Sequence, residues 1–293
     1  MIGTGTLVLK APAKINFGLD ILHRREDGYH ELKTMLVPIS LADTLRIQIA
    51  AREQFSCSDT TLPQDAGNLV IRALRLFEES SGIATSLNIH LEKRIPTGAG
   101  LGGGSSDAAA LLRGVNQLYG KPLSRDELLE LAALLGSDIP FFLYDCPCYA
   151  TGRGEMLVPT LFPSLPGLIV FPGFPVSTAI AYQAVDLSLT SGSRFVSLKG
   201  FQRSDLASAG WRDDISNDFE SVIFRLHPEL GDLKKKLYDS GAGYVSLSGS
   251  GSAVYALYES RQIGDEARLM IPANWSVFSI ETLLHGTGLP REI

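Results

Sequence analysis

The sequence predicts an α+β protein of two domains. Three observations carry that prediction. The chain has 293 residues, enough to bury two cores. Its first half reads as strands and then helices, and its second half interleaves the two. Between them Pro159, Pro163 and Pro166 punctuate residues 159–167, dividing the chain into residues 1–162 and 163–293.

Taken in order, residues 6–11 and 14–22 alternate as half-buried strands do. Ile15, Phe17, Leu19 and Ile21 fall on one face, and Lys14, Asn16 and Asp20 on the other. Residues 31–40 and 44–50 continue the strand pattern. Leu69, Ala73, Leu76 and Phe77 recur at helical spacing and predict a helix over 68–80. Leu87, Ile89 and Leu91 predict a strand over 85–93. A glycine-rich stretch then opens a helix to about Tyr119, and Ser124 caps another that stops at Gly136. Past the prolines the pattern predicts a strand over 168–172, a helix over 178–187, and helices near 216–226 and 228–239. A hairpin over 243–258, a short helix and a strand over 275–283 end the chain. That order suggests a ferredoxin-like α+β sandwich for the second domain. The Ser/Thr/Gly-rich residues 188–193 read as a surface loop.

Composition narrows the partners. Hydrophobic residues make up 45% and charged ones 20%, as in ordinary globular proteins. Net charge is −6, so no global field favours nucleic acid or an anionic membrane, and any phosphate must be held locally. Cys57, Cys146 and Cys148 form no metal-ligand set and read as reduced thiols. The first residues carry no signal-peptide pattern, and no apolar run is long enough to span a membrane. The expectation is a cytoplasmic protein.

Residues 96–110 read Pro-Thr-Gly-Ala-Gly-Leu-Gly-Gly-Gly-Ser-Ser-Asp-Ala-Ala-Ala. Glycines at this density let a ligand approach the backbone N–H groups. Ser105-Ser106-Asp107 is expected to cap the helix that follows, aiming unpaired amides and a partial positive charge at the loop. A phosphate is the natural guest. The string contains G-x-G-x-x-G from Gly98 to Gly103, but a second helix follows where a dinucleotide fold needs a strand and an acidic residue. No P-loop string and no protein-kinase signature occurs.

The loop instead resembles the central motif of the GHMP small-molecule kinases. Ala11-Pro12-Ala13-Lys14-Ile15-Asn16 resembles that family's first motif, and Ser248-Gly249-Ser250-Gly251-Ser252-Ala253 its third. The resemblance implies an N-terminal domain similar to ribosomal protein S5 domain 2, with a left-handed crossover, packed on a ferredoxin-like C-terminal domain. ATP and an acceptor would meet in the cleft. It also implies ATP contacts from Pro96, Gly98, Gly100, Gly102, Gly103, Gly104, Ser105 and Ser106. Asn68, Leu69 and Lys93 would line the purine pocket.

Asp27-Gly28-Tyr29-His30-Glu31-Leu32, the triple glycine 102–104 and Leu135-Gly136-Ser137-Asp138-Ile139-Pro140 resemble one branch of that family. Its members phosphorylate the 2-hydroxyl of a methylerythritol cytidine diphosphate, in the non-mevalonate route to isoprenoid precursors. On that resemblance Tyr29 would stack on the cytosine, His30 would meet its edge, and Asn16, Thr178 and Tyr182 would complete the acceptor site. Read alone, Asp-Gly-Tyr-His is equally a turn, and Tyr182 equally a core residue. Asp138 is the candidate base and Lys14 its partner, chiefly orienting the hydroxyl with late proton transfer. Mg²⁺ should bridge the β- and γ-phosphates, with Ser105 or Ser106 as an oxygen donor and the other ligands unassigned. Mevalonate, homoserine or a sugar as acceptor, or a non-catalytic nucleotide-binding regulator, stand as alternatives.

Overall fold

A computed structural model describes residues 6–185 and 210–284, so residues 188–193 lie outside the described residues. The chain opens with two long strands, β1 (Leu7–Arg24) and β2 (His30–Ile49), followed by β3 (Gln54–Cys57), α1 (Leu69–Ser81) and β4 (Leu87–Glu92). Then come α2 (Gly103–Leu118), α3 (Arg125–Leu135), α4 (Ile139–Tyr144), β5 (Cys148–Thr151) and β6 (Met156–Pro159). The second half holds β7 (Pro166–Phe171), α5 (Thr178–Ala184), α6 (Gly210–Asp214), α7 (Glu220–Leu226) and α8 (Pro228–Asp239). It closes with β8 (Tyr244–Leu247), β9 (Val254–Leu257), α9 (Arg261–Arg268) and β10 (Ser276–Glu281).

The first sheet runs β3-β4-β2-β5-β6, with β1 paired to β2. Strands β3 and β4 are parallel and the other pairs antiparallel. The second sheet, β10-β7-β9-β8, is antiparallel throughout. Numbered within its own domain that order is 4-1-3-2, which the ferredoxin-like expectation requires. Both sheets carry helices, so the protein has an α+β architecture. Among the described residues no helix is long and apolar enough to cross a membrane.

The strands expected over 6–11 and 14–22 are one continuous strand, and so are those over 31–40 and 44–50. Register shifts explain why the pattern looked broken. Leu9 and Ala11 pack into a core against α1–α4, whereas Ala13, Ile15 and Phe17 enter a second core between the sheets. Between Pro12 and Lys14 the register shifts by two residues, β2 running from Ala42 to Pro38 opposite them, and the odd-numbered side chains of β1 change core across that irregularity. Strands β3, β5 and β6 have four residues each, too few for a periodic signal, and the sequence reading missed them.

The inter-sheet core centres on Phe17, whose ring lies 4.9 Å from Phe162, 5.0 Å from Trp211 and 4.8 Å from Tyr244. This core covers the face of β1 that carries no helices. Lys14, Asn16 and Asp20, which form the opposite, polar strand face in the sequence, are buried as well. Buried polar side chains need partners, and theirs define the candidate site.

Candidate active site

The glycine loop connects β4 to α2 and is bounded by tight contacts. Gly98, Gly100 and Gly102 have φ near +70° to +80°, a region that L side chains avoid. At Gly100 a Cβ would stand 2.0 Å from the carbonyl oxygen of Ser248, so only glycine allows the third motif to approach. The loop's carbonyls are taken up by protein donors from both domains. Lys14 N donates to Leu101 O (3.0 Å), Ser248 Oγ to Gly100 O (2.9 Å) and Ala253 N to Ala99 O (3.2 Å).

The expected serine cap does not form. Helix α2 starts at Gly103, its N-cap is Gly102 in the left-handed conformation, and no side chain caps it. Ser105 and Ser106 fall inside the helix. A Cβ at Gly102 would meet Phe142 at 2.9 Å and Lys14 at 3.2 Å, so a side chain at that cap does not fit. The first-turn amides thus keep no side-chain acceptor, which suits a phosphate ligand. Ser106 is buried and its Oγ has no hydrogen-bond partner.

The loop roofs a cavity of about 480 Å³, a size suited to small ligands. Pro96, Gly98, Gly100, Gly102, Gly103, Gly104 and Ser105 line it, as do Asn68, Leu69 and Lys93. Lys14, Asn16, Asp138, Thr178 and Tyr182 line it as well. Tyr29, His30 and Ser106 do not.

Lys14 Nζ lies 3.8 Å from Asp138 Oδ2 and donates to Asn16 Oδ1 at 2.6 Å. Asn16 Nδ2 in turn donates to Thr34 Oγ1 at 3.1 Å. This chain of bonds fixes the ammonium on the buried strand. Burial pushes the Lys14 pKa down, with Asp138 opposing part of that shift. Asp138 precedes α4 and makes no side-chain cap bond, and its side chain is 42% exposed. It is left available to a ligand.

The end of the cavity lined by Lys93 contains a feature the sequence reading did not foresee. Lys93 Nζ donates to Asp107 Oδ2 at 2.7 Å and also to Asp43 Oδ2. Burial opposes the charge on Lys93, but the two carboxylates outweigh it and raise its pKa. Burial, with Asp43 nearby, raises the Asp107 carboxyl, and Lys93 partly offsets this. Asp43 sits between two strand-like runs where sequence suggests a turn, so no signal marked it. Asn68 is the N-cap of α1, accepting from Val70 N at 3.0 Å.

At the other end, residues 27–30 form a turn. Gly28 has φ +83°, and Tyr29 N donates to Asp27 Oδ1 at 3.1 Å. Tyr29 is 55% exposed, with the Arg153 guanidinium 4.8 Å from its ring centre. The His30 ring lies on Tyr182 with centroids 4.8 Å apart and planes 13° from parallel. Tyr182 packs edge-on against Phe219 at 4.9 Å. Burial, then Asp138, pushes the Tyr182 hydroxyl up to about 12. Asn217, also missed, donates to Leu247 O (2.9 Å) and Gly249 O (2.8 Å), tying the third motif to the turn before α7.

Residues 68–146 match the family of GHMP kinases N terminal domains, and residues 197–277 match GHMP kinases C terminal. The 4-diphosphocytidyl-2-C-methyl-D-erythritol kinase of Syntrophus aciditrophicus (strain SB) is 37% identical over 281 residues, covering 94% of this chain and 99% of that protein. The enzyme of the same name from Methylacidiphilum infernorum (isolate V4) is 44% identical over 85% of each chain. A crystal structure of 4-(cytidine 5'-diphospho)-2C-methyl-D-erythritol kinase superposes with a TM-score of 0.80 at 36% identity, covering 94% of this chain and 99% of that one. The mevalonate kinase of Methanococcus jannaschii shares the fold, with a TM-score of 0.69 at 16% identity, covering 95% of this chain and 99% of that one. By these relationships the chain belongs to the 4-diphosphocytidyl-2-C-methyl-D-erythritol kinases, within the GHMP kinase family.

Proposed function

We infer that the chain transfers the γ-phosphoryl group of ATP to the 2-hydroxyl of 4-diphosphocytidyl-2-C-methyl-D-erythritol. One observation carries this reading beyond family membership. The buried ammonium of Lys14 and the accessible carboxylate of Asp138 line the same cavity as the glycine loop. The acceptor oxygen forms a bond to the γ-phosphorus while the bond to the β,γ-bridging oxygen breaks, leaving ADP. Asp138 orients the hydroxyl and takes its proton late, and Lys14 steadies the oxygens that carry negative charge. Amides at the start of α2 hold the phosphates.

Among the described residues no group of three or more His, Cys, Asp or Glu is arranged to hold a metal ion by itself. Mg²⁺ that arrives on the nucleotide needs few protein ligands, and the unpaired Ser106 Oγ is a suitable hard oxygen donor, with Ser105 beside it. The metal would neutralise charge on the β- and γ-phosphates. The cytidine would engage the His30–Tyr182 ring pair at the mouth, where Tyr29 and Thr178 stand near in sequence. The division at residue 162 is supported by the end of the first sheet at Pro159 and the start of the second at Pro166. Three unbridged cysteines fit the cytoplasm as its compartment.

The direct test supplies ATP, Mg²⁺ and each candidate acceptor in turn and follows ADP release. Turnover is expected with the cytidine diphosphate of methylerythritol. Turnover with mevalonate or homoserine in its place would overturn the assignment.

A further inference from the structure

The ion cluster of Asp43, Lys93 and Asp107 takes no part in the transfer step. All three side chains are largely buried, with exposures of 0%, 7% and 3%, though Lys93 and Asp107 reach the cavity wall. Three desolvated charges are a poor source of stability, since apolar groups of the same volume commonly do as well. What such a cluster can supply is a fixed geometry, and its connections show which one.

Asp43, on β2, accepts through Oδ1 from the backbone N–H of Ile95 at 2.9 Å and of Arg94. Through Oδ2 it accepts from Lys93. Ile95 is the last residue before the glycine loop. Asp107 stands in the second turn of α2, just past the loop, and holds the same ammonium. A single Lys93 therefore joins the strand that enters the loop to the helix that leaves it, and Asp43 anchors both to the sheet. The two ends also touch: a Cβ at Gly103 would stand 3.0 Å from Ile95 Cγ2 and 3.2 Å from Lys93 Nζ. Residues 96–102 are thus an arch whose two feet share one buried charge.

We propose that Asp43, Lys93 and Asp107 are positioning residues that set the shape of the glycine loop for the nucleotide's phosphates. Fixing both ends before ligand arrives lowers the ordering cost at binding and keeps the amides aimed. The proposal rests on reading the cavity as an ATP site. It changes the part expected of Lys93, whose ammonium acts on the loop through two carboxylates.

Asp43→Asn is the discriminating variant, because Asp43 does not line the cavity and its shape is kept while an amide N–H₂ is set against the ammonium. The expected result is a rise of about fivefold or more in KM for ATP, with acceptor KM within about twofold. Hydrogen exchange at the amides of residues 97–104 in the ligand-free variant should quicken about tenfold, while exchange in β1 and β2 is unchanged. Lys93→Met, close in volume, should do the same and serves if Asp43→Asn fails to fold. A folded variant with unchanged ATP KM and unchanged loop exchange overturns the proposal, as does an equal rise in both KM values. In the wild type, Ile95 N–H should exchange as slowly as core-strand amides, and fast exchange there also overturns it. If the wild type binds no ATP, the functional reading fails while the exchange measurements still decide the clamp.

Discussion

The two ends of the cavity are built differently. At the proposed nucleotide end the backbone would be the binding surface. Loop carbonyls are paired, a buried ion cluster holds both ends, and one glycine nearly touches the third motif. At the acceptor end side chains do the work. His30 lies on Tyr182 and Arg153 on Tyr29, around a turn whose ion pairs are partly exposed. A rigid end suits a phosphate chain shared by every kinase of this family. Stacked rings suit a flat base, and on the proposed reading they would make the acceptor end the seat of specificity.

If that contrast holds, substitutions should separate into those that change chemistry, ATP binding and acceptor binding. The largest effect belongs at the junction of the two ends. Asp138→Asn should lower kcat by about 10²–10⁴-fold with both KM values near wild type, read by steady-state ADP release. Gly100→Ala comes next. Its Cβ would collide with the Ser248 carbonyl and its φ is +78°, strain of about 1–3 kcal/mol. KM for ATP should rise at least about tenfold, with acceptor KM little changed. An equal rise in both would erase the distinction between the ends.

Tyr182→Ala should do the opposite. Loss of one stacking partner costs about 1–3 kcal/mol, so acceptor KM should rise about tenfold or more while ATP KM holds. Titration gives a further test. Burial lowers the Lys14 pKa from 10.5, with Asp138 opposing part of the shift, so its ammonium is lost at a lower pH than a free lysine's. The profile of kcat/KM should fall on the alkaline side at a pH below 10.5. In Asp138→Asn, where the opposing carboxylate is gone, that limb should move to lower pH. Tyr29→Ala should have the smallest effect, since an exposed ring over a guanidinium contributes about 0.5–1 kcal/mol. A shift in acceptor KM of tenfold or more would show that Tyr29 reaches the base directly.

Much of this was legible in the sequence because the signals are local. Ser124 caps α3 and Gly136 ends it, as the sequence implied, and Glu127 completes a capping box with Ser124. Five glycines in a short loop could be read as a phosphate cradle because glycine's freedom is a property of the residue alone. The failures had a common source. Ser105 and Ser106 looked like caps until Phe142 and Lys14 left room only for glycine at that position. β1 looked like two strands because a bulge, invisible in composition, switched its inward face.

By itself, then, the sequence determined the types of the longer elements, the glycine loop, the three motifs that include Lys14, and the Gly136-Ser137-Asp138 step. These follow from backbone propensity and short-range spacing. Only the tertiary structure decided that Lys14 is buried, that Lys93 faces two carboxylates, and that His30 lies on Tyr182. Each depends on residues far apart in the chain, such as Asp43 and Lys93. Burial strengthens charge interactions only after the two sheets have closed over them and excluded water.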